Sequence, residues 1–560
     1  MAEVAGVCRQ LIICCDGTNN TLTGRMHDTN VLKVVDRLRP DQNHQLLYYD
    51  PGVGAPDQLP SADTWDRIKR KWERIRGLAS GRGIYENIGL GYQFLVENYE
   101  SGDEIYIFGF SRGAFTARCV AGVVNLFGLV RRENVVLIPT LVSVYFSKRT
   151  QRKNVSGKKR TRGDVAAQIR SVFTNSVGAA VPIHFVGVWD TVASVGLPFV
   201  SDAQITSDGF SENKEHLRHI RHALSLDEHR ATFRPRLYWD TQDYDMPKKG
   251  KSLKQRWFRG VHGDVGGGYV NAEAMLSNQA LAWMLSEARA CGLRLDPPLV
   301  LPSQPEGHRS SKLIAHDECY VNPFWGVAGL VIRKFEHQPG AGNDEVSIPE
   351  GAAADPNQRV ESSWFGPIPW APTILAVAAA LFLIVLCGFL SAAAFSGTFD
   401  LSRFSLSAAL DGGRAFDAWQ RESAWRAIFV NKNCEFPFFA GIRFAVWATI
   451  ADFILILAYS WFLGLFASKA FARIAGFLRV REKMRPILIF GWAPCIAVSA
   501  DIIENFLTLL TISFLSYDHL FLSLVAASFM AVANGVKWIG LISSGVFILA
   551  GLILPSRLKH

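Results

Sequence analysis

Charge is scarce in this 560-residue chain. Asp, Glu, Lys and Arg make up 19% of it, against about a quarter in an average soluble domain, so part of the chain is expected in lipid. Cysteine pairing is missing too: nine Cys are scattered, Cys14 and Cys15 are adjacent, and no C-x-x-C occurs. This speaks against a disulfide framework or a zinc knuckle. The start of the chain has no basic stretch leading into an apolar run, so a signal peptide is not expected. No P-loop, dinucleotide fingerprint or H-E-x-x-H motif is present, and Gly266–Gly268 lacks the strand-to-helix setting that nucleotides need. Neither cofactor nor metal is therefore expected. The net charge of +9 is a small excess for this length, and nucleic acid is not an expected partner. Apolar residues, by contrast, reach 49%, with 37 Phe and 15 Trp, which excludes a disordered chain.

Two compositional halves are visible. Residues 1–337 alternate short apolar runs with helical patterns, as an α/β domain does. Residues 338–371 are rich in Gly, Pro and Asn and read as a linker. Residues 372–560 are expected to form a transmembrane domain of about four helices. Thr373–Phe395 carries no charge, Phe444–Ser468 carries Asp452, and Ile487–Leu515 carries Asp501 and Glu504. Leu520–Leu554 carries Lys537 and suits either one tilted helix or two short passes turning at Asn534-Gly535. Lys469–Arg485 holds six basic residues against one Glu and reads as a cytoplasmic loop. Counting back places the N-terminal domain in the cytoplasm and makes the chain a multi-pass inner-membrane protein. The bundle leaves room for a homo-oligomer. Its four charges either pair across the helices or line a path for water and ions.

The chemistry concentrates in the first half. Ile105–Phe108 is a strand-like run that leads through Gly109-Phe110-Ser111-Arg112-Gly113 into the helix former Ala114–Ala121. Such a strand–turn–helix presents the serine at a helix N-terminus. A serine hydroxyl needs a base and an orienting acid, which in an α/β-hydrolase follow in the order acid, then His. Ile183–Trp189 ends in Asp190, the expected acid, with Asp264 and Asp227 as rivals. His262 lies in a Gly-rich loop after a late strand and is the expected base. His184 sits within a strand; His222 and His229 are expected on a helix. Arg112 should supply one backbone oxyanion donor, and the loop Gly17-Thr18 after Leu11–Cys15 the other. Asp16 either braces that loop or belongs to a different site.

Cys15-Asp16-Gly17-Thr18, the Ser111 turn, Gly187–Val192 and Gly260–Tyr269, together with Ala223–Glu228, resemble in order and spacing the α/β-hydrolase catalytic domain of bacterial type VI secretion phospholipase effectors. The resemblance covers about residues 8–337. It implies a serine esterase that releases fatty acid from membrane glycerophospholipid, with Ser111, Asp190 and His262 as triad, in a toxin or defence setting. The hydrophobic C-terminal half departs from a secreted effector and points to a resident membrane enzyme.

Two other functions stay open. One is a transmembrane pore or signalling protein whose hydrolase-like domain senses a ligand. The other is a metal-dependent phosphohydrolase built on Asp16, Asp190, His262 and Asp264. Two basic segments offer contact with lipid headgroups or are ordinary surface: an amphipathic stretch over Trp65–Arg76 and the run Lys148–Arg162.

Overall fold

The structure is a computed structural model. It describes residues 8–17, 28–52 (without 42–43), 82–192 (without 148–151, 154–158, 161 and 175–180), 217–238, 252–296 (without 271–272), 314–331 (without 317), 361–362, 382, 386, 442–479, 490–516 and 520–553. The Trp65–Arg76 stretch and the linker, apart from 361–362, lie outside these residues. So does the Thr373–Phe395 span, apart from Phe382 and Leu386. Of Lys148–Arg162, Arg152–Lys153 and Lys159–Arg160 pair as a short antiparallel ladder.

Six strands form one parallel sheet: β1 (Gln10–Cys15), β2 (Gln45–Asp50), β3 (Glu104–Phe110), β4 (Ile183–Trp189), β5 (Leu217–Ser225) and β6 (Ser252–Phe258). Their spatial order is β2-β1-β3-β4-β5-β6. The chain steps outward from β1 to β2, then crosses back to β3 on the other side. The direction of winding reverses between β1 and β3, and in such sheets ligands bind there, at the carboxyl ends of the strands.

Helices cover both faces, which is why β1, β3 and β4 are mostly apolar. Side chains alternate sides along a strand. On one side Leu11, Ile13, Ile105 and Ile107 pack against α2 (Arg82–Asn98), α3 (Ser111–Phe127) and α4 (Ile138–Phe146). On the other, Ile12, Cys14, Tyr106 and Phe108 meet α1 (Asn30–Val35) and α7 (Met275–Ala290) through Val31, Leu281 and Met284. The short helices α5 (Arg162–Phe173) and α6 (His262–Gly266) complete this part.

The chain forms two compact units. The first holds the sheet, through Glu228 and over Thr232–His316; the second holds residues 229–231, 317–332 and the described residues after Ser362. In the second unit lie α8 (Ile442–Arg479), α9 (Ala493–Ser516) and α10 (Leu520–Ile553). Stretches long and apolar enough to cross a bilayer lie at Thr449–Phe471 in α8, at Phe490–Ser513 in α9 and the turn leading into it, and at Val532–Gly551 in α10. Phe506 and Ile539 are 62% and 67% exposed, as are many neighbours to similar degree. Such a surface is incompatible with water and suits lipid, so the unit associates with membrane.

One expectation is corrected here and one open alternative is resolved. Lys469–Arg479 is not a loop: α8 runs through it, because Ala, Leu and Arg favour helix and the basic residues suit its C-terminal end. Leu520–Ile553 is a single helix. Asn534 does not break it, and its side chain instead donates to Glu504 Oε1 at 2.7 Å. The buried charges of the bundle pair. Lys537 Nζ lies 3.0 Å from Asp501 Oδ1 and 2.8 Å from Glu504 Oε2. Asn505 donates to Asp452 Oδ2 at 2.8 Å, and the Tyr459 hydroxyl donates to Asp501.

Candidate active site

The carboxyl ends of β1, β3, β4, β5 and β6 carry, in turn, Asp16, Ser111, Asp190, Ser225 and the turn before His262. Parallel pairing in register brings these ends to one edge of the sheet. Ser111 is the first residue of α3 and sits in the left-handed region with φ 59°; Asp190 has φ 41°. They are the only non-glycine residues with positive φ among those described, and each such residue costs about 1–3 kcal/mol.

The glycines around Ser111 make that turn possible. A Cβ on Gly109 would stand 2.6 Å from the Gly113 carbonyl oxygen, and one on Gly113 would overlap the carbonyl oxygens of Cys15 and Asp16. The strand can therefore reverse into α3 while the helix start lies against the end of β1.

Asp190 is fully buried. Its Oδ1 accepts from the Ser225 N–H at 3.0 Å, and its Oδ2 accepts from Ser225 Oγ at 3.0 Å. The same Oδ2 lies 2.5 Å from His262 Nδ1. The imidazole is held between Phe110 and Phe233, with ring centroids 4.6 and 4.9 Å away. With Nδ1–H directed at a carboxylate, Nε2 carries the lone pair. This nitrogen is buried and has no hydrogen-bond partner among the described residues. Phe110, whose ring lies tilted against His262, is the residue immediately before Ser111. Further ties fix the turn after β4: Val192 N–H donates to the Ser111 carbonyl at 3.3 Å, and Asp190 N–H to the Ala223 carbonyl at 2.7 Å.

The structure thus joins Asp190 and His262 directly, while Ser111 is tied to the turn after Asp190 through its backbone carbonyl. His262 differs from expectation in one respect. It opens the helix α6 rather than lying in a flexible loop, because Asp264 Oδ2 accepts the Val261 N–H at 3.0 Å and nucleates the turn. The rival acids are committed elsewhere. Asp264 binds His316 Nδ1 at 2.6 Å, and Asp227 Oδ2 accepts from Gly260 N–H at 2.8 Å and Arg259 Nε at 2.9 Å. Both brace the segment that carries His262.

His222 is not helical; it lies in β5. Its Nε2 accepts the Thr191 N–H at 3.2 Å and its Nδ1 meets Gln255 Oε1 at 2.9 Å, so it supports the Asp190 turn. His184 lies in β4 and contacts the Cys291 carbonyl at 2.7 Å. Asp16 braces its loop, accepting from Thr29 Oγ1 at 2.7 Å, Tyr49 hydroxyl at 2.9 Å and Gly17 N–H at 2.6 Å. That last bond occupies the N–H expected to face an oxyanion. Thr18 lies outside the described residues. Arg112, as the second residue of α3, has a backbone N–H with no intrahelical partner.

Asp16, Asp190 and Asp264 each bind different neighbours, and among the described residues no group of three or more His, Cys, Asp or Glu is placed to hold a metal ion. The constellation imagined for a metal-dependent phosphohydrolase is therefore not assembled here. Sequence reading missed Ser225 and Glu228. The latter is buried and accepts the His262 N–H at 3.2 Å. Their signal is their place at the carboxyl end of β5, next to the strand that bears Asp190.

Residues 9–287 match the family described as type VI secretion system (T6SS) phospholipase effector Tle1-like, catalytic domain. This domain belongs to that family. By that description the family is one of phospholipase effectors. A protein of Saccharomyces cerevisiae, YEL023C, uncharacterized by its title, is 29% identical over 228 residues, covering 40% of this chain and 32% of its own length. The chain thus matches about a third of that relative. The crystal structure of an uncharacterized protein from Pseudomonas aeruginosa is 17% identical and covers 79% of this chain and 62% of its own, with a TM-score of 0.30.

A pH effect on the Tle1-like domain follows from His316. Burial opposes the charged form of its imidazole. The hydrogen bond and charge of Asp264, joined by Glu273 at 3.3 Å, outweigh this and raise its pKa. A raised folded pKa means that the proton stabilises the fold below the ordinary histidine value, and that this contribution fades as pH rises through the folded value. Denaturant midpoints at about pH 6 and about pH 8 are expected to differ less in His316→Gln than in the wild type.

Proposed function

We propose that this protein is a membrane-anchored serine hydrolase cleaving the acyl esters of glycerophospholipids through an acyl-Ser111 intermediate. Ser111 Oγ adds to the ester carbonyl carbon as His262 Nε2 takes its proton. The tetrahedral oxyanion is met by the Arg112 N–H and by a second donor in the loop after β1, with Thr18 in that role because the Gly17 N–H is bonded to Asp16 Oδ1. On collapse, the proton passes from His262 to the departing lysophospholipid oxygen. Water, deprotonated by the same imidazole, then releases the fatty acid and restores Ser111. Asp190 holds the imidazole in the tautomer that leaves Nε2 basic and stabilises its charged form.

The observation that carries this reading is the His262–Asp190 contact of 2.5 Å, with Nε2 buried and unpartnered among the described residues beside a left-handed Ser111. The family supports lipid as substrate, and the apolar helices support a bilayer as the place where it is met. In this reading residues 1–337 are the catalytic domain on the cytoplasmic side, 338–371 the linker, and 372–560 an anchor of four passes.

A fluorophosphonate probe, whose fluoride is displaced from phosphorus by an activated serine, is expected to phosphonylate the detergent-solubilised protein at the peptide containing Ser111, with labelling lost on preincubation with phospholipid. Labelling confined to another serine would overturn the assignment.

A further inference from the structure

Asp227, Glu228, His229 and Arg230 are four consecutive ionisable residues, each no more than 7% exposed. Burying such a run is costly unless every member is held, and the members of this run are held in two different units. Asp227 takes Arg259 and the Gly260 N–H, and Glu228 Oε2 accepts the His262 N–H at 3.2 Å, all within the first unit. His229, Arg230 and Ala231 belong to the second unit. There the His229 ring stands edge-on to Phe471 of α8, with centroids 5.4 Å apart, and its carbonyl accepts the Val331 N–H at 2.8 Å. Arg230 lies 3.5 Å from Glu318 and over the Trp325 ring, and the Ala231 N–H donates to the Gly329 carbonyl at 3.0 Å. Phe233 is back in the first unit, its ring centroid 4.9 Å from that of His262.

Each of these contacts lies inside one unit; only the backbone passes from one to the other. It passes with little slack. Glu228 and His229 share a peptide bond, and Ala231 is two residues from Phe233, a distance the chain spans in about 7 Å at most. The 3₁₀ turn Ala231–Phe233 shortens it further. The partners in the second unit are tightly set themselves. A Cβ on Gly326 would stand 2.1 Å from the Gly464 carbonyl oxygen of α8, and one on Gly329 2.6 Å from the Trp492 ring. Gly464 and Phe471 both lie in the Thr449–Phe471 stretch, which is long and apolar enough to cross a bilayer. A shift of that stretch therefore reaches residues 229–231, and through them both neighbours of His262. A misplacement of about 1 Å can cost about 10²-fold in rate.

We propose that residues 228–233 are a positioning strap through which the packing of α8 sets the place of the His262 imidazole, so that the membrane-associated unit helps to position the base and is more than an anchor. This rests on the serine-hydrolase reading of the site. Glu228, His229, Arg230 and Phe233 are then positioning residues, acting through His262.

The test uses the full-length protein in lipid nanodiscs and p-nitrophenyl butyrate, a water-soluble acyl ester whose approach needs no bilayer. The quantities read are kcat, KM and the melting temperature of the wild type, Phe471→Ala, Arg230→Gln and Arg230→Lys. Asn534→Ala is the control: it loosens the helical bundle at the Glu504 hydrogen bond and leaves the strap untouched. In Phe471→Ala and Arg230→Gln kcat is expected to fall at least about tenfold, with KM changed by less than about twofold. Arg230→Lys, which keeps a cation for Glu318, is expected to recover most of kcat, and Asn534→Ala to retain it. Wild-type kcat in Phe471→Ala and Arg230→Gln would overturn the strap and leave the hydrolase reading intact. So would an equal fall of kcat in Asn534→Ala at the same loss of melting temperature, the mark of general destabilisation. If Phe471→Ala does not fold, the Arg230 pair decides, and a kcat in Arg230→Gln equal to the wild type overturns the proposal. Wild-type protein that neither cleaves the ester nor is labelled at Ser111 by the fluorophosphonate probe would remove the hydrolase reading, and the proposal with it.

Discussion

Ser111→Ala is expected to lower phospholipid turnover by about 10⁴- to 10⁶-fold while leaving the melting temperature close to that of the wild type. The size follows from the role proposed for the hydroxyl: without Oγ no acyl-enzyme forms, and what remains is water attack helped by the oxyanion donors and by substrate binding. The modest effect on stability follows from the backbone. Ser111 is held at φ 59° by the close approach of Gly109 and Gly113 to their neighbours, and alanine bears that conformation about as badly as serine. Loss of activity with retained fold therefore separates a chemical role from a structural one. The decisive measurement is fatty-acid release under single-turnover conditions. Turnover within tenfold of the wild type would place the reaction elsewhere in the molecule.

Asp190→Asn is expected to cost about 10⁴-fold in kcat and, unlike the serine change, to destabilise the domain. The carboxylate is fully buried and accepts from three donors: the Ser225 N–H, the Ser225 hydroxyl and His262 Nδ1. An asparagine of the same shape offers one acceptor oxygen and an NH2 group. Whichever way it turns, a donor faces a donor, or His262 adopts the other tautomer and presents Nε2–H toward Ser111. The first outcome leaves a buried polar group unsatisfied, worth about 1–3 kcal/mol. The second removes the base. Kinetics across pH, combined with a denaturation curve, read both effects. A variant with wild-type kcat would mean that the acid has no part in orienting the imidazole.

Much of this site was legible because its chemistry hangs on strand ends. Ser111 and Asp190 each follow a mostly apolar strand and His262 follows a strand ending in Trp257-Phe258, and a parallel sheet gathers such positions along one edge. The misreadings share a different cause. Leu217–Ser225 contains Arg218, His219, Arg221 and His222, a pattern that looks too polar for a strand buried on both faces. It is one because Arg221 finds Glu287 on α7 at 2.5 Å and His222 finds Gln255 on β6 at 2.9 Å, partners that no local window contains. Asp264 was a credible triad acid until His316, 52 residues later, took it. The helical turn at His262 was hidden by its glycines, since the residue that nucleates it, Asp264, also reads as a loop former. In the hydrophobic half, the spans at Thr449–Phe471 and Phe490–Ser513 were readable from length and lack of charge. The continuation of α8 through a basic stretch was not, because charge marks topology more strongly than it marks a helix end.

The hydrogen-bond ladder that joins β3, β4, β5 and β6 also works as a ruler. In the proposed reading Ser111 and Asp190 hang directly from the final rungs of their ribbons and His262 from the turn just beyond its own, so a slip of any ribbon by one rung would carry its group away from the others. Damage deep in the central sheet, far from any lipid, should therefore register as silenced chemistry before it registers as a melted protein.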